Sequence, residues 1–249
     1  MLTGKTAIVT GSSRGIGAAC AVLLARNGAA VGINYVANQA AGQEVMDRIK
    51  TAGGKAHLVQ ADARDRQQVE AMITEVEKTL GPIDILVNNA NISFPVKPFL
   101  EYAWEEIQSK LTGEIGASFN CCQTVLPGMI KRGYGRIINI SSGLSVAPGD
   151  GFVAHSTAKS GLNAFTRALA HEFGPMGITV NTVSPGLTET DATSWLPQEA
   201  KAGAAAHMPL RRIGMPADIA GAVLFFASDH SGHITGAYLG VDGGATMVQ

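Results

Sequence analysis

The segment KTAIVTGSSRGIG, residues 5–17, constrains this chain more than any other. A short apolar strand runs into a turn with glycines at 11, 15 and 17, and the helical pattern GIGAACAVLLARNGA follows at once. Glycine can turn where a Cβ would collide, and it lets the backbone approach a ligand closely. The N-terminus of the helix offers unpaired N–H groups and the positive end of a dipole, the natural seat of a phosphate. A strand, a glycine turn and a helix in this order therefore predict the first β-α unit of a nucleotide-binding layered protein. The spacing is Gly-x-x-x-Gly-x-Gly, which differs from the Gly-x-Gly-x-x-Gly fingerprint.

The rest of the chain repeats the alternation. AVGINY (30–35), KAHLVQAD (55–62), IDILVNNA (83–90), RIINISS (136–142), ITVNTVSPG (178–186) and GAYLGVDGG (236–244) read as strands, with amphipathic segments between them. Such alternation implies right-handed crossovers and a parallel sheet covered on both faces. The expected fold is thus α/β, a Rossmann-type doubly wound sheet in one dinucleotide-binding and catalytic domain, residues 1–249. No linker, repeat or low-complexity segment interrupts it. Residues 188–208, TETDATSWLPQEAKAGAAAHM, are helical in propensity but irregular in pattern, and follow a strand C-end. They are expected to form a substrate lid.

Composition narrows the partners. A formal net charge of -1 argues against nucleic acid or an anionic membrane surface, and leaves small molecules. The longest apolar runs, such as AGAVLFFA (220–227), are too short to cross a bilayer, and the N-terminus runs straight into a strand with no signal-like segment. Cys20, Cys121 and Cys122 make no disulfide framework, so the expected compartment is the cytoplasm.

With the glycine turn, NNA (88–90), SS (141–142), SPG (184–186) and VDGG (241–244), the chain resembles the short-chain dehydrogenase/reductase family over nearly its whole length. It looks most like the β-ketoacyl-acyl-carrier-protein reductases. The resemblance implies a nicotinamide cofactor held by Gly11, Ser13, Arg14, Gly15, Ile16 and Gly17 in the turn, and by Asn34 and Tyr35 at the end of the second strand. Asp62 and Ala63 would meet the adenine, and Asn88 and Ala90 would support the loop over the cofactor. Pro185, Gly186, Thr188 and Thr190 would close over it. For Asp62 a second role is open, as the cap of the following helix. No acid stands at the end of the second strand before Glu44, whereas Arg14 lies in the turn. An acid there would repel a 2′-phosphate and an arginine can pair with one, so NADP(H) is expected over NAD(H).

The family pattern of serine, tyrosine and lysine then meets a departure. Ser142 follows the fifth strand, and thirteen residues later, where the tyrosine should stand, the chain has His155. Lys159 lies one helical turn on, and Glu114 occupies the position that resemblance gives to an asparagine. Asn91 also replaces the usual glycine after NNA. Reduction of a ketone needs a donor to the carbonyl, a proton for the alkoxide and a cation to hold the ribose. The expected roles are Ser142 as donor, His155 as general acid/base, Lys159 as anchor, and Glu114 as the charge partner that keeps an imidazolium available.

Two other readings accompany this one: a nucleotide-binding pseudoenzyme or regulatory subunit, and dehydratase or isomerase chemistry by the Glu114–His155 pair. The substrate class is a small carbonyl compound or acyl thioester. No histidine has partners at metal-ligand spacing, so no metal is expected. Trp104 is expected to pack, and Trp195 to contact substrate. The resemblance further implies a homotetramer, or a homodimer, with the helix over LNAFTRALAHEF (162–173) consistent with an interface.

Overall fold

The structure, a computed structural model, describes residues 1–247. Its strands are β1 (Thr6–Val9), β2 (Ala30–Tyr35), β3 (Lys55–Gln60), β4 (Ile83–Asn88), β5 (Gly135–Ile140), β6 (Ile178–Pro185) and β7 (Tyr238–Val241). Between them run α1 (Gly15–Arg26), α2 (Gln39–Thr51), α3 (Arg66–Leu80), α4 (Trp104–Arg132), α5 (Val153–Phe173), α6 (Gln198–His207) and α7 (Pro216–Ala227). All pairings are parallel, in the order β3-β2-β1-β4-β5-β6-β7.

Every residue of β1, β5 and β6 is buried, which is why those strands show no alternation of apolar with exposed polar residues. Successive side chains of β1 serve opposite faces. Ala7 and Val9 join a core with Leu24 of α1, Val45 and Ile49 of α2, and Val223 of α7. Ile8 joins a second core with Val69 and Val76 of α3, Val125 and Met129 of α4, and Ala170 of α5. The three cysteines are buried in these cores without disulfides.

Local chemistry ends the helices. Asn38 caps α2 by accepting from Ala41 N, and Gly133, in the left-handed region at φ +63°, stops α4. Asp65 caps α3 by accepting from Gln67 N and Gln68 N, so the cap lies three residues beyond Asp62 and the capping role considered for Asp62 falls to its neighbour. Trp104 also departs from expectation: it opens α4 with 63% of its surface exposed and does not pack. The segment expected to be irregular contains a 3-10 turn (Asp191–Thr193) and α6. Lys201 of α6, buried, pairs with Glu189 at 2.6 Å and holds the helix to the chain leaving β6.

Sheet order reverses between β1 and β4, so their C-ends diverge and open a crevice, the usual ligand site of such sheets. Every segment singled out above for chemistry lies at this edge of the sheet.

Candidate active site

Gly11 and Gly15 adopt φ of +61° and +56°, conformations that favour glycine. A Cβ on Gly17 would stand 2.5 Å from Asn89 Nδ2 and 2.6 Å from Gly11 O, so α1 can sit this close to the turn only without a side chain. Arg14 occupies the N-cap position of α1 without a side-chain cap, and the first turn carries no acid. The N-terminal N–H groups thus stay free for an anion, and the cradle fits a pyrophosphate.

Buried amides hold the turn in place. Asn34, 1% exposed, accepts from Gly11 N at 2.9 Å and donates to Ala61 O at 2.9 Å. Its side chain therefore braces the turn against β3. Tyr35 is likewise buried. The support expected from Asn88 comes instead from Asn89, whose side chain donates to Thr10 O at 2.9 Å and Gly11 O at 3.1 Å. Asn88 points away from the turn and donates to Asn139 Oδ1 at 2.8 Å. Ala90 N donates to Thr10 Oγ1 at 3.0 Å, closing the loop after β4 onto the turn.

Beyond β2, Val36, Ala37 and Asn38 are exposed and uncharged. Arg14, also exposed, stands 4.0 Å from Asp191. Asp62 is held by Arg64, whose Nε and Nη2 donate to the carboxylate, and this guanidinium lowers its pKa. Ala63 is buried, and its carbonyl accepts from Asn120 Nδ2 at 3.1 Å, which places Asn120 against this loop rather than among the catalytic candidates. On the far side, a Cβ on Gly186 would stand 2.6 Å from Asp242 Cβ. Thr188 is buried and donates to Gly186 O at 3.0 Å, and Thr190 lies against Gly15. Ser13 and Ile16 are partly exposed within the turn.

At the other end of the crevice, Ser142 leaves β5 and accepts from Leu144 N at 3.3 Å. On α5, His155 and Lys159 are 8% and 3% exposed. Lys159 Nζ donates to Glu114 Oε1 at 2.5 Å and to Ile140 O at 2.7 Å, so Glu114 does partner this lysine. A second, unforeseen cation flanks the same carboxylate. Lys110, fully buried one turn earlier on α4, donates to Glu114 Oε2 at 2.5 Å, to Asn91 Oδ1 at 2.7 Å and to Ile92 O at 2.8 Å.

Glu114 would be raised by burial, but Lys159 and Lys110 together bring its pKa down to about 2. Burial pushes Lys110 down to about 8 despite the carboxylate beside it. At neutral pH the three groups thus carry a net positive charge. This charge corrects the expectation for the histidine. Burial first, then Lys159 and Lys110, push His155 from 6.5 to about 3, and Glu114 offsets little of it. The ring is neutral, stacks on Phe94 at 4.5 Å between centroids and 18° between planes, and its buried Nδ1 has no hydrogen-bond partner among the described residues.

A groove of about 990 Å³ lies beside this end, lined by Val96, Phe99, Leu144, Gly151, Val153 and Ser156 among others. Trp195 is 62% exposed and donates to Ala192 O within the segment after β6. Among the described residues no group of three or more His, Cys, Asp or Glu side chains could hold a metal, and no helix is long and apolar enough to cross a membrane.

Residues 11–246 match the family described as enoyl-(acyl-carrier-protein) reductase. The 3-oxoacyl-(acyl-carrier-protein) reductase FabG of Staphylococcus aureus is 37% identical over 245 residues, covering 98% of each chain. A blue fluorescent protein from a metagenomic library, solved in complex with NADPH, superposes with a TM-score of 0.91 at 36% identity, covering 99% of each chain. A double mutant of a Serratia marcescens short-chain dehydrogenase/reductase superposes at 0.90 with 35% identity, covering 98% of each chain. A parallel sheet of this order, a glycine cradle at its switch point and these relatives agree: the chain is an oxidoreductase that belongs to the short-chain dehydrogenase/reductase family.

Proposed function

We propose that the protein is an NADP(H)-dependent reductase of a small carbonyl compound, most like the 3-oxoacyl-(acyl-carrier-protein) reductases, with His155 in the place of the usual phenol. The observation that carries this reading is the pair His155 and Lys159, buried one turn apart on α5, with Lys159 bonded to Ile140 O at the end of the strand that leads to Ser142. When bound, the nicotinamide supplies the hydride. Ser142 donates to the carbonyl oxygen of the substrate, and the His155 N–H donates to the same oxygen as negative charge grows there. A neutral imidazole can serve as such a donor. The net positive cluster that disfavours imidazolium also favours loss of the ring N–H proton, the same push that a phenol would need. The proton passes to the alkoxide and is replaced from solvent. Lys159, steadied by Glu114 and Ile140 O, anchors the ribose hydroxyls. Asp62 and Ala63 flank the adenine, and Pro185, Gly186, Thr188 and Thr190 close over the nicotinamide, with residues 188–208 as the lid.

The preference for NADP(H) is supported by the uncharged residues after β2, by exposed Arg14 and by the relative solved with NADPH. Steady-state consumption of NADPH and NADH with a panel of 3-oxoacyl thioesters and simple ketones tests both parts. A higher kcat/KM with NADH, or no turnover of any carbonyl, overturns the reading. In Arg14→Ala the KM for NADPH should rise about tenfold or more, the loss of a charged hydrogen bond of about 1.5 kcal/mol, while the KM for NADH stays unchanged.

The stacking of Phe94 over His155 favours a second reading, a nucleotide-binding subunit without turnover. Tight NADPH binding with no consumption identifies it. We place the protein in the cytoplasm as a homotetramer. Exposed Phe119 and Ile130 on α4 support assembly through this helix, and a monomer by light scattering would count against it.

A further inference from the structure

Resting on the reading of His155 as the working group, and going beyond it, we propose that Lys110 is a positioning residue of this site: it holds Glu114 from the side opposite Lys159 and clamps the Asn91–Phe94 loop against the His155 ring. Five contacts carry the proposal. Lys110 donates to Glu114 Oε2, to Asn91 Oδ1 and to Ile92 O, at 2.5, 2.7 and 2.8 Å. Its Nζ also lies 5.0 Å from the centroid of Phe94, whose ring stacks on His155. The loop is seated on α4 here as well, since a Cβ on Gly113 would stand 3.1 Å from Ile92 Cγ1.

A lysine with no exposed surface is costly unless every donor is satisfied and a counter-charge is near, so this arrangement is built for its position. Lys110 has two effects. It fixes the aromatic face on which the imidazole rests, and it leaves the cluster with one positive charge in excess, which disfavours a proton on that imidazole. The charged groups acting on the ring are Lys159 on its own helix and Lys110 and Glu114 from α4. The loop contributes Phe94, which is uncharged, and the loop's own cation, Lys97, is paired with Glu106 at 2.6 Å.

Counting these three groups gives an ordered series. The wild type carries one net positive charge, Lys110→Met none, Glu114→Gln two, and the double variant one again. NMR titration of the His155 ring should therefore place Lys110→Met about 1–2 pH units above wild type, Glu114→Gln below it, and the double variant close to it. Lys110→Arg, which keeps the charge, should leave the midpoint in place. Should Lys110→Met fail to fold, Glu114→Gln against the double variant measures the same quantity, with removal of Lys110 again raising the midpoint. An equal midpoint within either pair overturns the proposal, because a merely structural lysine would leave the ring's titration alone. The titration is read without turnover, so it can fail while His155 remains the working group, or hold while His155 proves idle.

Discussion

In His155→Phe, kcat for carbonyl reduction falls by about 10²–10⁴, the range that a positioned proton donor contributes, while the dissociation constant for NADPH stays within about twofold of wild type. Phenylalanine suits the test because the ring position rests on Phe94 by stacking, and a second phenyl group can take the same contact. It also removes a nitrogen that is buried without a partner, so the fold should tolerate the change. What disappears is the N–H. The cofactor cradle stands apart from this change, in the left-handed glycines and in the amides of Asn34 and Asn89. Stopped-flow absorbance of NADPH separates the two quantities. A kcat within threefold of wild type would assign the proton to another group. Loss of NADPH binding along with turnover would mean that the ring supports the nucleotide rather than the substrate.

The sheet was readable in advance because its strands are buried on both sides. ITVNTVSP and GRIINI are rich in β-branched residues and bounded by glycine or a polar turn, so the β-α alternation stands out without knowledge of contacts. Ser142, His155, Lys159 and Glu114 could be located by counting from fixed landmarks, and three of them lie on helices where spacing fixes the face. Lys110 was not foreseen, because a lysine on a helix is almost always solvated. Its one signal was the four-residue spacing to Glu114. Neighbouring residues were exchanged for a different reason. Which of Asn88 and Asn89 faces the turn depends on where a strand ends to within one residue, and which of Asp62 and Asp65 caps α3 on where a helix begins to within three. The resemblance implies Asn34 as a cofactor contact, and its amide is engaged in bracing the glycine turn. The expected imidazolium fails mainly because the ring is buried, which spacing alone does not reveal; Lys159 and then Lys110 push its pKa in the same direction.

The same buried ring makes stability depend on pH in a window that few other groups share. His155 is depressed from 6.5 to about 3, so between those values the unfolded chain binds a proton that the folded chain refuses. Its contribution to stability is complete above pH 6.5 and is lost as pH falls toward 3, at about 1.4 kcal/mol per pH unit. Glu114, lowered from 4.5 to about 2, acts in the same direction but only below pH 4.5. Lys110, lowered from 10.5 to about 8, acts between those values, where stability rises with pH. The interval from pH 6.5 to 4.5 therefore isolates the histidine from both of its charged neighbours. Urea unfolding followed by circular dichroism at pH 7 and pH 4.5 should show wild type losing about 2.5 kcal/mol more than His155→Phe over that step. The remaining histidines and carboxylates titrate alike in both proteins and cancel in the difference. A difference below about 0.5 kcal/mol, within the error of the extrapolation, would mean that the ring reaches water or an acid when folded, and that its neutral state at the active site is not enforced by burial.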